Sequence, residues 1–329
     1  MIHTKACEVL SIVHPIVQAG MAGPWFTNSE LVAAVSNAGG LGILGCLGRS
    51  PEDAIAEIRR IRALTDRPFG VNFVLHLRDD ETFAACLAEH VPIFSFFRGD
   101  PTEAVARAHE VGALTIHQVT TVAEAIEACN VGVDVLVAQG HEAGGHMGPL
   151  PLFSFLPEVV AVAGARPVLA AGSIVDGPGL AAVLCLGAAG ALMGTRFLAT
   201  PESPASESHK RAILAASGPE ATVASGIFDI IWDSPWPGVQ VRALRNKLTM
   251  RWVGREDDLR AHLAEAQITF EQANDTDDPE ERALLAGGGV GRIHSLKPAG
   301  QVVRDIVAEA ARILDEWGTL VNSSTLDTP

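Results

Sequence analysis

Short apolar runs recur along the first two thirds of the chain, at residues 15–18, 41–44, 69–74, 93–97, 114–117, 133–138, 167–171 and 191–193. Uninterrupted runs of this length predict parallel strands buried on both faces. Helical patterns lie between them. Thr27-Asn28-Ser29-Glu30 has capping-box spacing ahead of a helix over 31–38, which Gly39-Gly40 ends. Ser50-Pro51-Glu52-Asp53 gives an N-cap, a proline at the first helical position and early acids for a helix over 54–64. Further helices are predicted over 80–90, 102–111, 121–130 and 177–186. Eight alternating units predict an α/β chain, a (β/α)8 TIM barrel in preference to an open doubly wound sheet.

The rhythm breaks after Thr200. Residues 228–238 carry Trp232, Trp236, Pro235 and Pro237; 242–252 are mixed; 259–271 read as helix. An acidic turn follows at 275–281, a glycine loop at 287–291 and an amphipathic helix over 299–317. Residues 1–215 are therefore expected to form the barrel, 216–292 a smaller, mostly helical cap over its mouth, and 293–329 a terminal helix that packs back on the barrel.

Composition narrows the function classes. Hydrophobic residues make up 48% of the 329 and charged residues 19%, as a dense interior requires. A net charge of −15 repels phosphate backbones, which argues against a nucleic-acid partner. An anionic cofactor must then be held by local backbone dipoles. Cys7, Cys46, Cys86, Cys129 and Cys185 are scattered, odd in number and without a CxxC pair, which predicts a reducing, cytoplasmic setting. Charged residues interrupt every apolar run before membrane-spanning length, and the N-terminus has no basic-then-apolar signal. Tyrosine is absent, so no mechanism can use a phenol.

The densest chemistry lies at 139–148, Gln-Gly-His-Glu-Ala-Gly-Gly-His-Met-Gly, directly after the sixth apolar run. Glycine-rich backbone there can approach something flat, and His146 is a candidate catalytic group because imidazole titrates near neutral pH. His141 reads equally as a brace for the loop. His141-Glu142 with His146 fails the zinc-protease spacing, since the histidines are five apart in a glycine-rich segment, and no metal site is expected. Gly40-Leu41-Gly42-Ile43-Leu44-Gly45 matches GxGxxG literally, but its glycines start a strand instead of following one; close helix–strand packing explains them better.

Gly172-Ser173 and Gly194-Thr195 follow the seventh and eighth strands, where barrels commonly bind phosphate. Gln18 and Met21 after strand one, Asn72 in strand three and Gln118 at the end of strand five fall at the same face; amides both donate and accept, as a ring edge requires. Arg196 reads either as a phosphate partner or as half of an internal ion pair.

PIVQAGMAG, AVSNAGGLGILG, DRPFGVNFVL, GHEAGGHMG, the long run from VLAAGSIVDG to RFLATPES, and ALRNKLT together resemble the FMN-dependent nitronate monooxygenases, formerly 2-nitropropane dioxygenases. They are similar also to the FMN-dependent enoyl-acyl-carrier-protein reductases of the same superfamily. The resemblance runs from about Pro15 to Trp252. It implies a capped (β/α)8 barrel with non-covalent FMN. Gly172, Ser173, Gly194 and Thr195 would hold its phosphate, Gln18, Met21, Asn72 and Gln118 would line the isoalloxazine, and His146 would be catalytic. Where monooxygenases of this group carry a histidine in a SFHFG-like segment, this chain has Phe97 in SFFRG. Their substrate-site tyrosines are absent too.

Three functions compete. The first is a nitronate monooxygenase that uses a small nitronate and O2 and yields a carbonyl compound and nitrite. The second is an NAD(P)H-dependent FMN ene-reductase for an enoyl thioester or quinone, with Arg242, Arg245 and Lys247 reading equally as receivers for a carrier arm or as a solvated helix face. The third is a non-redox sugar-phosphate barrel. The resemblance favours the first. The sequence does not fix the oligomeric state, a homodimer being one option.

Overall fold

The structure, a computed structural model, describes residues 2–234, 236 and 239–323. Its strands are β1 Ile16–Gln18, β2 Leu41–Gly45, β3 Phe69–Val74, β4 Ile93–Phe97, β5 Leu114–Val119, β6 Val135–Gln139, β7 Gly145–Met147, β8 Val168–Ala171, β9 Gly190–Met193, β10 Thr222–Ser225 and β11 Gln240–Leu244. Eight of them close into a parallel barrel in the order β1-β2-β3-β4-β5-β6-β8-β9, with β9 back against β1 through Val17↔Leu192. The TIM barrel expected from the apolar runs is present, and each predicted strand lies within two residues of its observed bounds.

Side chains alternate across each strand. Val17, Leu41, Ile43, Ile93, Val137 and Leu169 fill the barrel interior, and Ala6, Cys7 and Leu10 of the helix Lys5–Leu10 pack into the same cluster. That helix plugs the N-terminal end and leaves the opposite mouth to the loops that follow the strands. Outside the barrel, Gly42 presses on the helix Ser29–Asn37; a Cβ there would run into the backbone of Val32. Close packing, not nucleotide binding, accounts for that glycine.

Two local readings change. The helix over 29–37 is capped by Asn28, whose side chain accepts the Leu31 N–H at 3.0 Å. Thr27 instead ties loops together, donating to Met21 O at 3.1 Å and accepting the Gly45 N–H at 2.9 Å. The helix Leu152–Ala163 was not predicted, since Pro157 lies inside it. Proline removes the bond to the carbonyl four residues back, here that of exposed Phe153, so the helix survives it.

Residues 216–292 carry the short helices Ile227–Ile231, Lys247–Trp252 and Glu256–Ala261 and the longer Leu263–Asp275. They also carry strands. β10 and β11 pair antiparallel, and β11 pairs antiparallel with β7, which lies in the loop after β6. The glycine-rich stretch at 145–147 is thus a strand in a three-stranded sheet, because Val241↔His146 and Arg242↔Gly145 give it partners 90 and more residues away in sequence. Pro235 and Pro237 lie outside the described residues. The helix Ala299–Ser323 runs beside the helices Gly177–Cys185 and Ser29–Asn37, with Val302, Val303 and Ala310 buried.

Candidate active site

Strand alternation brings three amides to the top layer of the barrel interior: Asn72 on β3, Gln118 on β5 and Gln139 on β6. Gln139 was not singled out from sequence. It is buried, its Nε2 donates to His146 O at 3.0 Å, and its Oε1 is a buried acceptor without a partner. Gln18 faces the barrel wall. Its Nε2 donates to Ala19 O and, at 3.2 Å, to Ile43 O, and its Oε1 accepts the Ile43 N–H at 3.2 Å. That amide is spent on pinning β1 to β2. Met21 lies beside Gly194; a Cβ on Gly194 would be 3.4 Å from the Met21 sulfur.

The exits of β6, β8 and β9 converge with the loop at 287–289. Gly172 has φ +122° and Ser173 φ +55°, a left-handed conformation uncommon outside glycine. The Ser173 hydroxyl donates to Glu142 O at 3.2 Å, as does the Gly288 N–H at 2.9 Å. Thr195 Oγ1 accepts the Gly287 N–H at 2.9 Å. A Cβ on Gly289 would stand 2.6 Å from Ser173 O, so backbone meets backbone there. The glycine loop at 287–291 therefore closes the cradle, a role its sequence alone did not reveal. Ser173 has committed its proton, whereas the Thr195 proton has no acceptor among the described residues. Space over Gly194 is open, since nothing but Met21 and Ala19 comes within 4 Å of a Cβ there. Glycine backbone at 172, 194 and 287–289 gathered at the strand exits, with amides at the same end of the barrel and Gln139 Oε1 without a partner among the described residues, fits a group such as FMN in chemistry. Arg196 takes no part in it: its guanidinium donates to Ala199 O at 2.8 Å and Ser295 O at 2.9 Å, and burial lowers its pKa to about 10.

His146 on β7 sits at the barrel mouth, mostly buried. Its Nε2 is 2.7 Å from Asp229 Oδ1 on the cap helix Ile227–Ile231. The ring stacks on Trp236 at 3.6 Å between centroids, with planes 12° apart; Trp232 is 6.1 Å away. His76, after β3, meets the other side of this group, edge-on to Trp236 at 4.2 Å. Burial, then the charges of Arg98 and His146, hold the His76 pKa below its usual value. Phe97 at the end of β4 packs with Val74 and Trp236. Arg98 follows in a left-handed conformation, φ +57°, with Nε and Nη2 buried and without a partner among the described residues; Nη1 lies 3.9 Å from the Glu124 carboxylate. His141 braces its loop, Nδ1 lying 3.2 Å from Gly148 O. Arg242 donates to Thr222 Oγ1 at 3.2 Å and His141 O at 3.1 Å, which commits it to the fold. Arg245 and Lys247 are exposed.

A closed eight-stranded parallel barrel with glycine loops, amides and a histidine gathered at its strand exits places the chain among the (β/α)8-barrel proteins. The chain matches the nitronate monooxygenase family model over residues 4–92 and 77–309, and it belongs to that family. It is an enzyme, an oxidoreductase of the FMN type. It is 39% identical over 250 residues to the (3aS,4S,5R,7aS)-5-hydroxy-7a-methyl-1-oxo-octahydro-1H-indene-4-carboxyl-CoA dehydrogenase of Mycobacterium tuberculosis, covering 75% of this chain and 67% of that protein. A probable nitronate monooxygenase of Staphylococcus aureus is 32% identical across 94% of this chain and 98% of its own length. The structure of FabK from Thermotoga maritima superposes with TM-score 0.87 at 32% identity, covering 97% of this chain and all of that one. No helix among the described residues is long and apolar enough to cross a membrane.

Proposed function

We propose that this chain oxidises small alkyl nitronates with O2, giving a carbonyl compound and nitrite. The observation that carries this reading is the set of buried donors at the mouth. Arg98 Nε and Nη2 are buried without a partner among the described residues, while Nη1 lies 3.9 Å from Glu124, and His76 and His146 meet on Trp236 beside them. Buried guanidinium N–H groups without an acceptor favour an anion beside them, and a nitronate is a small anion. FMN, when bound, supplies the electron transfer to and from the substrate and O2. His146 would hydrogen-bond the nitro oxygens, or take the carbon-bound proton of a neutral nitroalkane. Trp236 and Phe97 would exclude water from that exchange. Asn72, Gln118 and Gln139 would hold the ring edge, and the loops at 172–173, 194–195 and 287–289 the phosphate.

A second reading is an NAD(P)H-dependent reductase or dehydrogenase of a thioester such as an acyl-CoA. Phe97 favours it: an apolar wall replaces the histidine that characterised nitronate enzymes place there. The dehydrogenase and FabK likenesses favour it as well. Anaerobic stopped-flow mixing separates the two. A rapid change in the visible flavin absorbance with propyl-2-nitronate, and none with NADH or NADPH, is expected. Rapid bleaching by a nicotinamide with no response to nitronate would overturn the first reading in favour of the second.

A further inference from the structure

His146 is anchored from outside the barrel. Asp229 lies on a helix of the cap that β10 and the helix Leu263–Asp275 hold in place: the Ile227 N–H donates to Ser225 Oγ at 3.2 Å, and Gln267 Nε2 donates to Ile231 O at 2.9 Å. Both members of the pair are largely out of solvent, with 16% and 11% of their side chains exposed. A carboxylate that accepts only can engage Nε2 at 2.7 Å only if that nitrogen carries a proton. The neutral ring then has its lone pair on Nδ1, which makes no hydrogen bond among the described residues. Other charged groups facing the ring are His76 from the β3 exit and, behind it, Arg98 with Glu124 from β4 and the helix Val122–Val131. Arg242 on β11 is turned to Thr222 and His141.

We infer that Asp229 is a positioning residue of the acid–base step, holding His146 in the tautomer with Nε2 protonated and leaving Nδ1 to exchange a proton with substrate carbon. The inference rests on the carbon-acid chemistry proposed above. On a neutral nitroalkane the C–H bond breaks, its proton goes to Nδ1 and its electron pair stays on the substrate as the nitronate. The imidazolium keeps its Nε2–H bond to Asp229, and the proton later leaves to solvent. No electron moves within the pair. A carboxylate behind the ring supports the cation that forms. The acid–base centre is thus assembled across the boundary between barrel and cap.

The test uses the full chain loaded with FMN, as Asp229→Asn and Asp229→Glu. Nitrogen NMR of histidine-labelled protein, with His146→Gln to assign the ring, reads the tautomer without any substrate. The parent is expected to hold the Nε2–H form. The Asn variant should mix tautomers and lower the ring's titration midpoint by about one pH unit, and the Glu variant should restore part of both. In turnover of nitroethane, the Asn variant should lose on the order of 100-fold in kcat, with the acid limb of the kcat/KM profile moved to lower pH and flavin content unchanged. An unchanged tautomer and midpoint in the Asn variant would overturn the inference. A ring that responds as stated in a parent inactive on nitro compounds would retain the pair and sink the nitronate reading alone.

Discussion

The imidazole of His146 lies flat on the indole of Trp236, with centroids 3.6 Å apart. One face of the ring is thereby closed to water. Removing the ring altogether should leave the cradle intact, since His146 bonds none of the residues at 172–173, 194–195 or 287–289. His146→Ala is expected to keep stoichiometric flavin and lose about 10²- to 10⁴-fold in kcat/KM. Flavin absorbance and steady-state rates check both. Normal turnover would dismiss the histidine.

Trp236 shields the same ring and meets His76 and Phe97. Trp236→Ala should open the mouth to water and raise KM for a small nitronate, with flavin retained. An unchanged KM would place substrate elsewhere.

Two glycines of the cradle separate binding from folding. A side chain at Gly194 meets nothing tighter than 3.4 Å, so Gly194→Val should fold with near-parental thermal stability and yet bind FMN weakly. A side chain at Gly289 would stand 2.6 Å from the Ser173 carbonyl, so Gly289→Val should lower the melting temperature of apoprotein itself. Full flavin occupancy in the Gly194 variant would count against the cradle.

Burial lowers the pKa values of His117 and His209 to about 4, against 6.5 for an ordinary histidine. Between those values the unfolded chain binds more protons, so stability is full above pH 6.5 and falls as pH drops toward 4. Each site contributes up to roughly 3 kcal/mol to that loss. Urea unfolding midpoints should fall from pH 7 to pH 5. His209→Gln can keep the bond to Leu285 O, now 3.1 Å, and should shrink the fall. An equal fall in the variant would remove His209 from the account.

The barrel was legible because its signal is local. A buried strand such as residues 69–74 announces itself by an uninterrupted apolar run, and the loops that follow strands seven and eight by glycine beside a hydroxyl residue. What was hidden depends on distance in sequence. Asp229 and His146 are 83 residues apart and meet only through the β7–β11 pairing. Gly287 reads as a turn until Thr195 accepts its N–H. Gln18 looked equivalent to Gln118, but strand parity sends one amide to the wall and the other inward. Asn28 displaced Thr27 as the cap because the Thr27 hydroxyl bonds Met21 and Gly45 instead.

β7 gives the cap a hydrogen-bonded foothold inside a barrel loop. For protein engineering this redraws the unit of exchange. Swapping residues 216–292 alone between relatives would graft a foreign β11 onto a resident β7 and pair a new carboxylate with an old histidine. A transplant that carries 140–148 with the cap moves the strand pair and the His146–Asp229 contact together. Substrate preference should therefore travel between family members as two separated sequence segments, inherited as one piece.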